Sequence, residues 1–357
     1  MSSDLPTLRW GIVATGLISS WFVQDLLLSR PNAEATHIIQ AVGASSLAKA
    51  QAFADKYLPG QSVSHYSSYA DVYRDPAVDI VYIGTPHSFH KQNCLDAIAH
   101  GKHVLCEKPF TLNAREAREV FDAARTKGVF VMEAMWTRFF PLVQTLRRLV
   151  HTEKVIGDVR RVFCDFAMDM KLASLGPDSR LTNRALGAGT LLDVGIYSLT
   201  WGLLMLDAEV GERAEQPTIV ASQSLSAGID VATSMILQYA NGRQGVLTSA
   251  AFTKTPAAFC RIEGTGGVIV VEGFTASVPA SFTVRTKNSG STEMQEQTYQ
   301  FERPGKGFYW EADAVAQSIA AGKTESEIMP WAETLRVLDM LDEVRRQGGA
   351  SFPQDVS

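Results

Sequence analysis

Cysteine is scarce and scattered. Cys94, Cys106, Cys164 and Cys260 are the only four in 357 residues, and no two form a C-x-x-C pair. That gives no basis for a zinc ribbon, a dithiol redox motif or a disulfide framework, so a reducing compartment is expected. Basic charge is not in excess either. The formal net charge of -5 has the wrong sign for a chain that grips nucleic-acid phosphates. No run of five like charges marks a solvated tail, and there is no internal repeat or low-complexity segment. Met1 to Thr7 is short and polar, without the basic start and apolar run of a secretory signal. The most apolar long segment, Gly189 to Leu206, is interrupted by Asp193 and Tyr197 and reads as a buried helix rather than a membrane span. The expectation is a soluble, cytoplasmic protein that binds neither membrane nor nucleic acid.

What is present is ordinary globular composition, 46% hydrophobic and 20% charged, in a chain too long for one common core. The first 130 residues or so alternate short apolar runs with helical patterns. Strand candidates are Leu8 to Ala14, His37 to Ala44, Asp79 to Gly84, His103 to Cys106 and Val129 to Met132. The helices between them carry local stop and start signals: Ser46 and Asn113 as N-caps, Gly101 and Gly128 after helix ends. This alternation predicts a doubly wound parallel sheet of the Rossmann kind. The second part has a long helix over about 188–206, then β-rich runs from Thr218 to Glu272. Asn241-Gly242 between two of them predicts a type I′ hairpin. Two helices, from Trp310 and from Trp331, close the chain. The expected fold is α/β: a nucleotide-binding domain over 1–140, then an α+β domain over 141–357 with a large, mostly antiparallel open sheet.

Four stretches carry candidate chemistry. In the first βα turn, Ala14-Thr15-Gly16-Leu17-Ile18-Ser19, only the middle glycine of G-x-G-x-x-G is present, at Gly16. That glycine lets a pyrophosphate approach the backbone at a helix N-terminus, though an ordinary strand-to-helix turn looks the same. After the second strand comes Gly43-Ala44-Ser45-Ser46-Leu47-Ala48-Lys49, with no acid to hold a ribose 2′-hydroxyl. Two hydroxyls, a helix N-terminus and a lysine suit a 2′-phosphate, which favours NADP; the bland alternative is a helix cap and a solvated lysine. Thr85-Pro86-His87 and His90 follow the next strand, where a cofactor would pass; His87 and His90 lack a third ligand, so no metal site is expected. Glu107-Lys108-Pro109 sets a lysine at the carboxyl end of a strand, where open α/β sheets bind ligands. Asp193 and Tyr197, spaced i and i+4 in an otherwise apolar helix, put a carboxylate and a phenol on one face, a costly arrangement unless they are paired or used.

These stretches together resemble the Gfo/Idh/MocA family of nicotinamide oxidoreductases across nearly the whole chain. Within it the sequence is most similar to the branch of dimeric dihydrodiol dehydrogenases and NADP-dependent D-xylose 1-dehydrogenases. The branch signatures are Trp10 to Ser19, Met132 to Pro141 (with Trp136 and Arg138), Leu192 to Tyr197, and Lys306 to Ala312. The branch usually carries arginine where this chain has Ser45, and again near Lys49. The resemblance implies hydride transfer from C1 of D-xylopyranose to NADP, giving a lactone. Oxidation of a trans-dihydrodiol, or a non-catalytic NADP(H) sensor, stays open. It implies Tyr197 as general acid/base, Lys108 as its electrostatic partner, and Asp193 as a substrate-orienting carboxylate. A phenol ordinarily titrates near pH 10, and lowering it by about two units asks roughly 2.7 kcal/mol of the lysine. Cofactor contacts are expected from Ala14 to Ile18, Ser45, Ser46, Lys49, Thr85, Pro86, His87, His90, Glu107, Lys108, Trp136 and Arg138. Trp136, Phe166 and Trp310 are expected as apolar walls for a sugar substrate. The open sheet of the second domain has a face that needs covering, and in the family that face commonly pairs with another subunit, so the resemblance implies a homodimer.

Overall fold

The computed structural model describes residues 5–287 and 294–356. The chain forms two compact units: residues up to Phe139 with Arg303–Thr334, and Phe140–Glu302 with the chain from Leu335 onward.

The first unit alternates strand and helix as its periodicity predicts. Its elements are β1 (Thr7–Val13), α1 (Leu17–Leu26), β2 (Thr36–Gly43), α2 (Leu47–Tyr57), β3 (Ser64–Tyr66), α3 (Tyr69–Arg74), β4 (Ile80–Ile83), α4 (His90–Ala99), β5 (His103–Glu107), α5 (Ala114–Lys127) and β6 (Val131–Ala134). The strands are all parallel, in the order β3-β2-β1-β4-β5-β6. All four residues of β4 and the last four of β5 are buried, as continuous apolar strands should be when helices cover both sheet faces. Helix ends follow the local chemistry. Asn113 accepts from the Glu116 amide at 3.0 Å, Ser46 from the Lys49 amide at 3.3 Å, and Gly128 ends α5 at φ 70. The strand order reverses between β1 and β4, which places the ligand crevice of such sheets at their carboxyl ends.

The second unit opens with α6 (Pro141–Arg147) and β7 (Val159–Ala167). A π-helical turn at Leu191–Gly195 leads into α7 (Ile196–Leu206). The strands β8 (Thr218–Ser226), β9 (Ile229–Gln238), β10 (Gln244–Ala250), β11 (Ala258–Gly264), β12 (Gly267–Thr275), β13 (Val278–Lys287) and β14 (Met294–Gln300) complete its sheet. The order is β14-β13-β12-β11-β7-β10-β9-β8, antiparallel except for the parallel pair β7–β10. Helix α7 lies against β7 and β10. A Cβ on Gly202 would stand 2.7 Å from Leu247 Cδ1, and one on Gly195 2.9 Å from Ser249 Oγ, so the glycines let this apolar helix sit close on the sheet. The stretch Arg184–Leu206 is long and apolar enough to cross a membrane, but 89% of its apolar window is buried inside the unit, the pattern of a core helix.

Two expectations need correction. The type I′ turn does not form at Asn241-Gly242. There only Gly242 has a positive φ (84), and the Asn241 side chain accepts from the Arg243 amide at 3.2 Å instead. The two-residue hairpin with both central residues at positive φ is Ala227-Gly228 (φ 51 and 81), joining β8 to β9. The second correction concerns Arg303–Thr334, which the expected split at 140/141 put in the later domain. It belongs to the first unit, with α8 (Phe308–Ala320); α9 (Trp331–Gly348) then runs on into the second. The reason is a set of long-range polar bonds. Asp25 of α1 accepts from the backbone amides of Lys306, Gly307 and Phe308 at 3.0, 2.6 and 2.9 Å, capping α8 from 281 to 283 residues away. Asp313 of α8 binds Arg30 at 2.9 Å and His37 Nε2 at 2.9 Å, all three being nearly buried. Trp10 Nε1 donates to His37 Nδ1 at 3.1 Å, so the ring proton sits on Nε2 and points at Asp313.

Candidate active site

Lys108 follows β5 in a turn held from three sides. Its backbone N–H donates to its neighbour Glu107 at 3.3 Å, and the Lys108–Pro109 peptide is cis. Glu107 also accepts from the Tyr82 phenol at 2.6 Å, and Tyr82 stacks on Phe22 at 3.9 Å. The His90 ring reaches the Pro109 carbonyl at 2.8 Å and the Thr85 carbonyl at 2.8 Å. It thereby ties the ends of β4 and β5 together. Burial pushes the His90 pKa down, against the pull of those carbonyls. Glu133 of β6 accepts from the Phe110 amide at 3.0 Å and from the Thr334 hydroxyl at 3.1 Å. Full burial pushes its carboxyl up to about 7, opposed by those bonds and by Arg138 and Lys108.

The first βα turn fits a dinucleotide. Ala14 has φ 76, the left-handed region that the first glycine of the fingerprint usually supplies. Gly16 caps α1 at φ -78, and a Cβ built there meets nothing within 4 Å, so nothing in the chain itself requires glycine and the bare backbone leaves room for a ligand. Helix α1 has no side-chain cap and no acid in its first turn, which leaves the N-terminus suited to an anion. Leu17 is 66% exposed at its start. Under this turn Gly84 faces Ser19 Oγ, 2.5 Å from where a Cβ would stand, so bare backbone lets α1 approach the end of β4. At the end of β2, Ser45 and Lys49 are exposed, and Lys49 Nζ donates to Ser45 Oγ at 2.9 Å. Ser46 serves as the α2 cap, and no acid occupies the first turn of α2.

In the second unit the π-helical turn carries Asp193, and Tyr197 follows in the first turn of α7. The expected regular helix over 188–206 is therefore replaced at its start by a wider turn, a feature common at functional sites. Asp193 is 13% exposed in its side chain and pairs with Arg180 at 3.3 Å. Tyr197 is 5% exposed, and its ring lies 5.6 Å from that of buried Phe166.

With this geometry in view, similarity to known proteins becomes specific. The family profile described as "Oxidoreductase family, NAD-binding Rossmann fold" matches residues 8–135, and the GFO/IDH/MocA C-terminal domain profile matches residues 143–270. The chain belongs to the Gfo/Idh/MocA oxidoreductase family. It is 35% identical to the D-xylose 1-dehydrogenase (NADP(+)) of Hypocrea jecorina, over 99% of this chain and 95% of that protein. It is 36% identical to the trans-1,2-dihydrobenzene-1,2-diol dehydrogenase of Sus scrofa, over 98% of this chain and 99% of that one. A solved levoglucosan dehydrogenase in complex with NADH and levoglucosan shares the fold, with a TM-score of 0.80 at 20% identity, covering 96% of this chain and 97% of that one. So does a 3-ketoreductase from Actinomadura kijaniata with NADP, with a TM-score of 0.78 at 21% identity and coverage of 96% and 98%.

For this oxidoreductase, the remaining expected site residues fall in distinct places. Thr85 and His87 are buried beside the β4 end, and Pro86 is half-buried. His90 is fully buried with both ring nitrogens on backbone carbonyls, so within the unit it is a clamp. Arg138 is fully buried and bonded to Glu333 at 2.5 Å, a core ion pair. Trp136 is 5% exposed and stacks on Phe308 of α8 at 4.2 Å, while Trp310 is half-buried and packs on Tyr309 at 4.8 Å. No cluster of three metal-binding side chains occurs among the described residues. Sequence reasoning missed Glu133, Arg180 and Glu311. Glu311 of α8 is fully buried, and neither carboxylate oxygen has a hydrogen-bond partner among the described residues. Burial, then the nearby Glu107 charge, pushes its pKa well up. An isolated glutamate in a helical pattern gives no sequence signal of this; the only pointer was its place in the Lys306 to Ala312 stretch.

Proposed function

We propose that this oxidoreductase is an NADP-dependent D-xylose 1-dehydrogenase, oxidising the C1 hydroxyl of D-xylopyranose to D-xylono-lactone. The observation that carries the reading is full-length similarity, 35% over 99% of the chain, to an enzyme of that name. The NADP preference is supported by the end of β2, where Ser45, Ser46 and Lys49 gather without a carboxylate. The pyrophosphate would be held at the α1 N-terminus by the backbone of Ala14 to Ile18, with Thr85, Pro86 and His87 along the neighbouring strand end. When bound, the nicotinamide supplies the hydride acceptor. The protein's own contribution is proton handling and orientation. Tyr197 Oη takes the proton from the C1 hydroxyl, Lys108 Nζ stabilises the charge that develops there, and Asp193 orients the sugar hydroxyls. Half-buried Trp310 offers apolar surface for the sugar ring, while Trp136 and Phe166 lie buried and would reach it only by an edge.

Similarity of 36% to a trans-dihydrodiol dehydrogenase supports a second reading, in which the same residues oxidise a cyclic diol. Homodimerisation is part of the proposal. Val220, Ile236, Val246, Phe163, Arg261 and Val270 stand in one register row on the sheet face away from α7. Val220 and Ile236 are 54% and 38% exposed, so the face offers apolar surface to a second copy. Four buried free thiols suit a reducing cytoplasm. The test is nicotinamide reduction by the purified protein, with D-xylose, other aldoses and a trans-dihydrodiol, each with NADP and NAD. Turnover on xylose with NADP well above the rest is expected. Turnover on the diol alone would overturn the substrate, and preference for NAD would overturn the role of Ser45, Ser46 and Lys49.

A further inference from the structure

The segment that carries Asp193 and Tyr197 is anchored by a carboxylate that lies outside it. Asp230, at the start of β9, is 2% exposed. Its Oδ2 accepts from Thr190 Oγ1 at 2.7 Å, from the Leu191 amide at 2.7 Å, and from Thr233 Oγ1 at 3.1 Å. Leu191 opens the π-helical turn, so its amide is among the N–H groups that a helix start leaves without an internal partner. Gly189 has φ 140, and a Cβ there would stand 2.1 Å from Asp230 Oδ1, so backbone and carboxylate fit only with glycine. Ser249 Oγ lies 3.4 Å from Thr190 Oγ1 and also faces Gly195, at the far end of the same turn. The turn is thus fixed at both ends, and Asp193 lies between them.

We propose that Asp230 is a positioning residue for the oxidation: its carboxylate sets the register of the Gly189–Leu191 turn, and through it the aim of Asp193 and Tyr197. The proposal rests on the site reading above, because it gives Asp230 no contact with substrate. A carboxylate suits the task because its charged oxygen takes three donors at once in bonds roughly twice as strong as those to the neutral oxygen of an amide. Loss of aim matters out of proportion to its size, since displacement of a reacting group by about 1 Å costs roughly a hundredfold in rate.

The test is Asp230→Asn, with Tyr197→Phe made alongside. Asp230→Asn is expected to lower kcat roughly 10- to 100-fold while NADP binding stays within about twofold. The acid limb of the pH–rate profile for oxidation should move with it, because the base has new surroundings. Hydrogen exchange should speed up in peptides covering 188–197 and not in those covering 7–134. Wild-type kcat and an unmoved acid limb in a folded Asp230→Asn protein would overturn the proposal, as would an equal rise in exchange everywhere. Should Asp230→Asn fail to fold, Thr190→Val removes a single donor. A smaller loss of the same kind is expected there, and wild-type behaviour overturns the idea. Normal turnover in Tyr197→Phe would sink the site reading and this proposal with it. Loss of turnover in Tyr197→Phe beside a normal Asp230→Asn would sink this proposal alone.

Discussion

The turn that carries Lys108 and the turn that carries Asp193 are fixed in opposite ways. Around Lys108 the supports are ionisable side chains packed into the unit: Tyr82 on Glu107, His90 on two carbonyls, Glu133 on the Phe110 amide. Around Asp193 the support is mainly shape, with Gly189, Gly195 and Gly202 admitting close neighbours and one carboxylate, Asp230, collecting three donors. Both place a charged group at the end of a rigid element. The first arrangement rests on several buried ionisable groups, and the second on bare backbone packed round a single carboxylate. The first should therefore respond to pH, and the second both to added volume and to loss of the Asp230 carboxylate.

Asp230→Asn tests the Asp193 turn, and three substitutions in the first unit test the other side of the contrast, in descending size. Lys108→Met removes the cation and leaves its supports in place, so turnover should fall about a thousandfold with stability little changed. Steady-state kinetics beside thermal unfolding checks this, and a large loss of stability would mean the lysine is structural. Glu133→Gln probes the ionisable supports. Its carboxyl titrates near 7 in the folded protein against an ordinary value near 4.5. The folded state thus holds the proton more tightly. The group's contribution is fully present below about pH 4.5 and is lost as the pH rises through 7, a loss of about 3 kcal/mol. Denaturant unfolding from pH 4.5 to 8 should show the wild type losing that much relative to Glu133→Gln; parallel curves would contradict the assignment. Ala14→Gly is the smallest test. It relieves a left-handed alanine at φ 76 and should stabilise the protein by about 1 kcal/mol, read as a raised unfolding midpoint.

The two units also differ in how much of them the sequence discloses. In the first, strands and helices alternate under local rules, so Ser46, Asn113 and Gly128 mark helix ends where the structure has them. What escaped was non-local or slight: the three-residue β3, and the return of residues 303–334, held by Asp25, Arg30 and His37. In the second unit β13 and β14 escaped, because β14 is mostly polar (Met-Gln-Glu-Gln-Thr-Tyr-Gln) and has no apolar run to announce it. The hairpin signal at Asn241-Gly242 misled because the Asn241 side chain takes up the turn's amide, while Ala227-Gly228 carries no such signature. The residues proposed for catalysis stand out in the sequence by position: Lys108 lies at a strand's carboxyl end before a proline, and Asp193 and Tyr197 interrupt an apolar run. Asp230 and Glu133 do not, since an acid within a strand pattern reads as solvent-facing until its neighbours are known.

The proposed sharing of one proton transfer by Lys108 and Tyr197 is open to a double-mutant cycle. kcat/KM would be measured for Lys108→Met, Tyr197→Phe and the pair, with xylose and NADP. The account predicts strong non-additivity, the double variant being no slower than the worse single one by more than about threefold. A double loss equal to the product of the two single losses would contradict it, since the two side chains would then act independently.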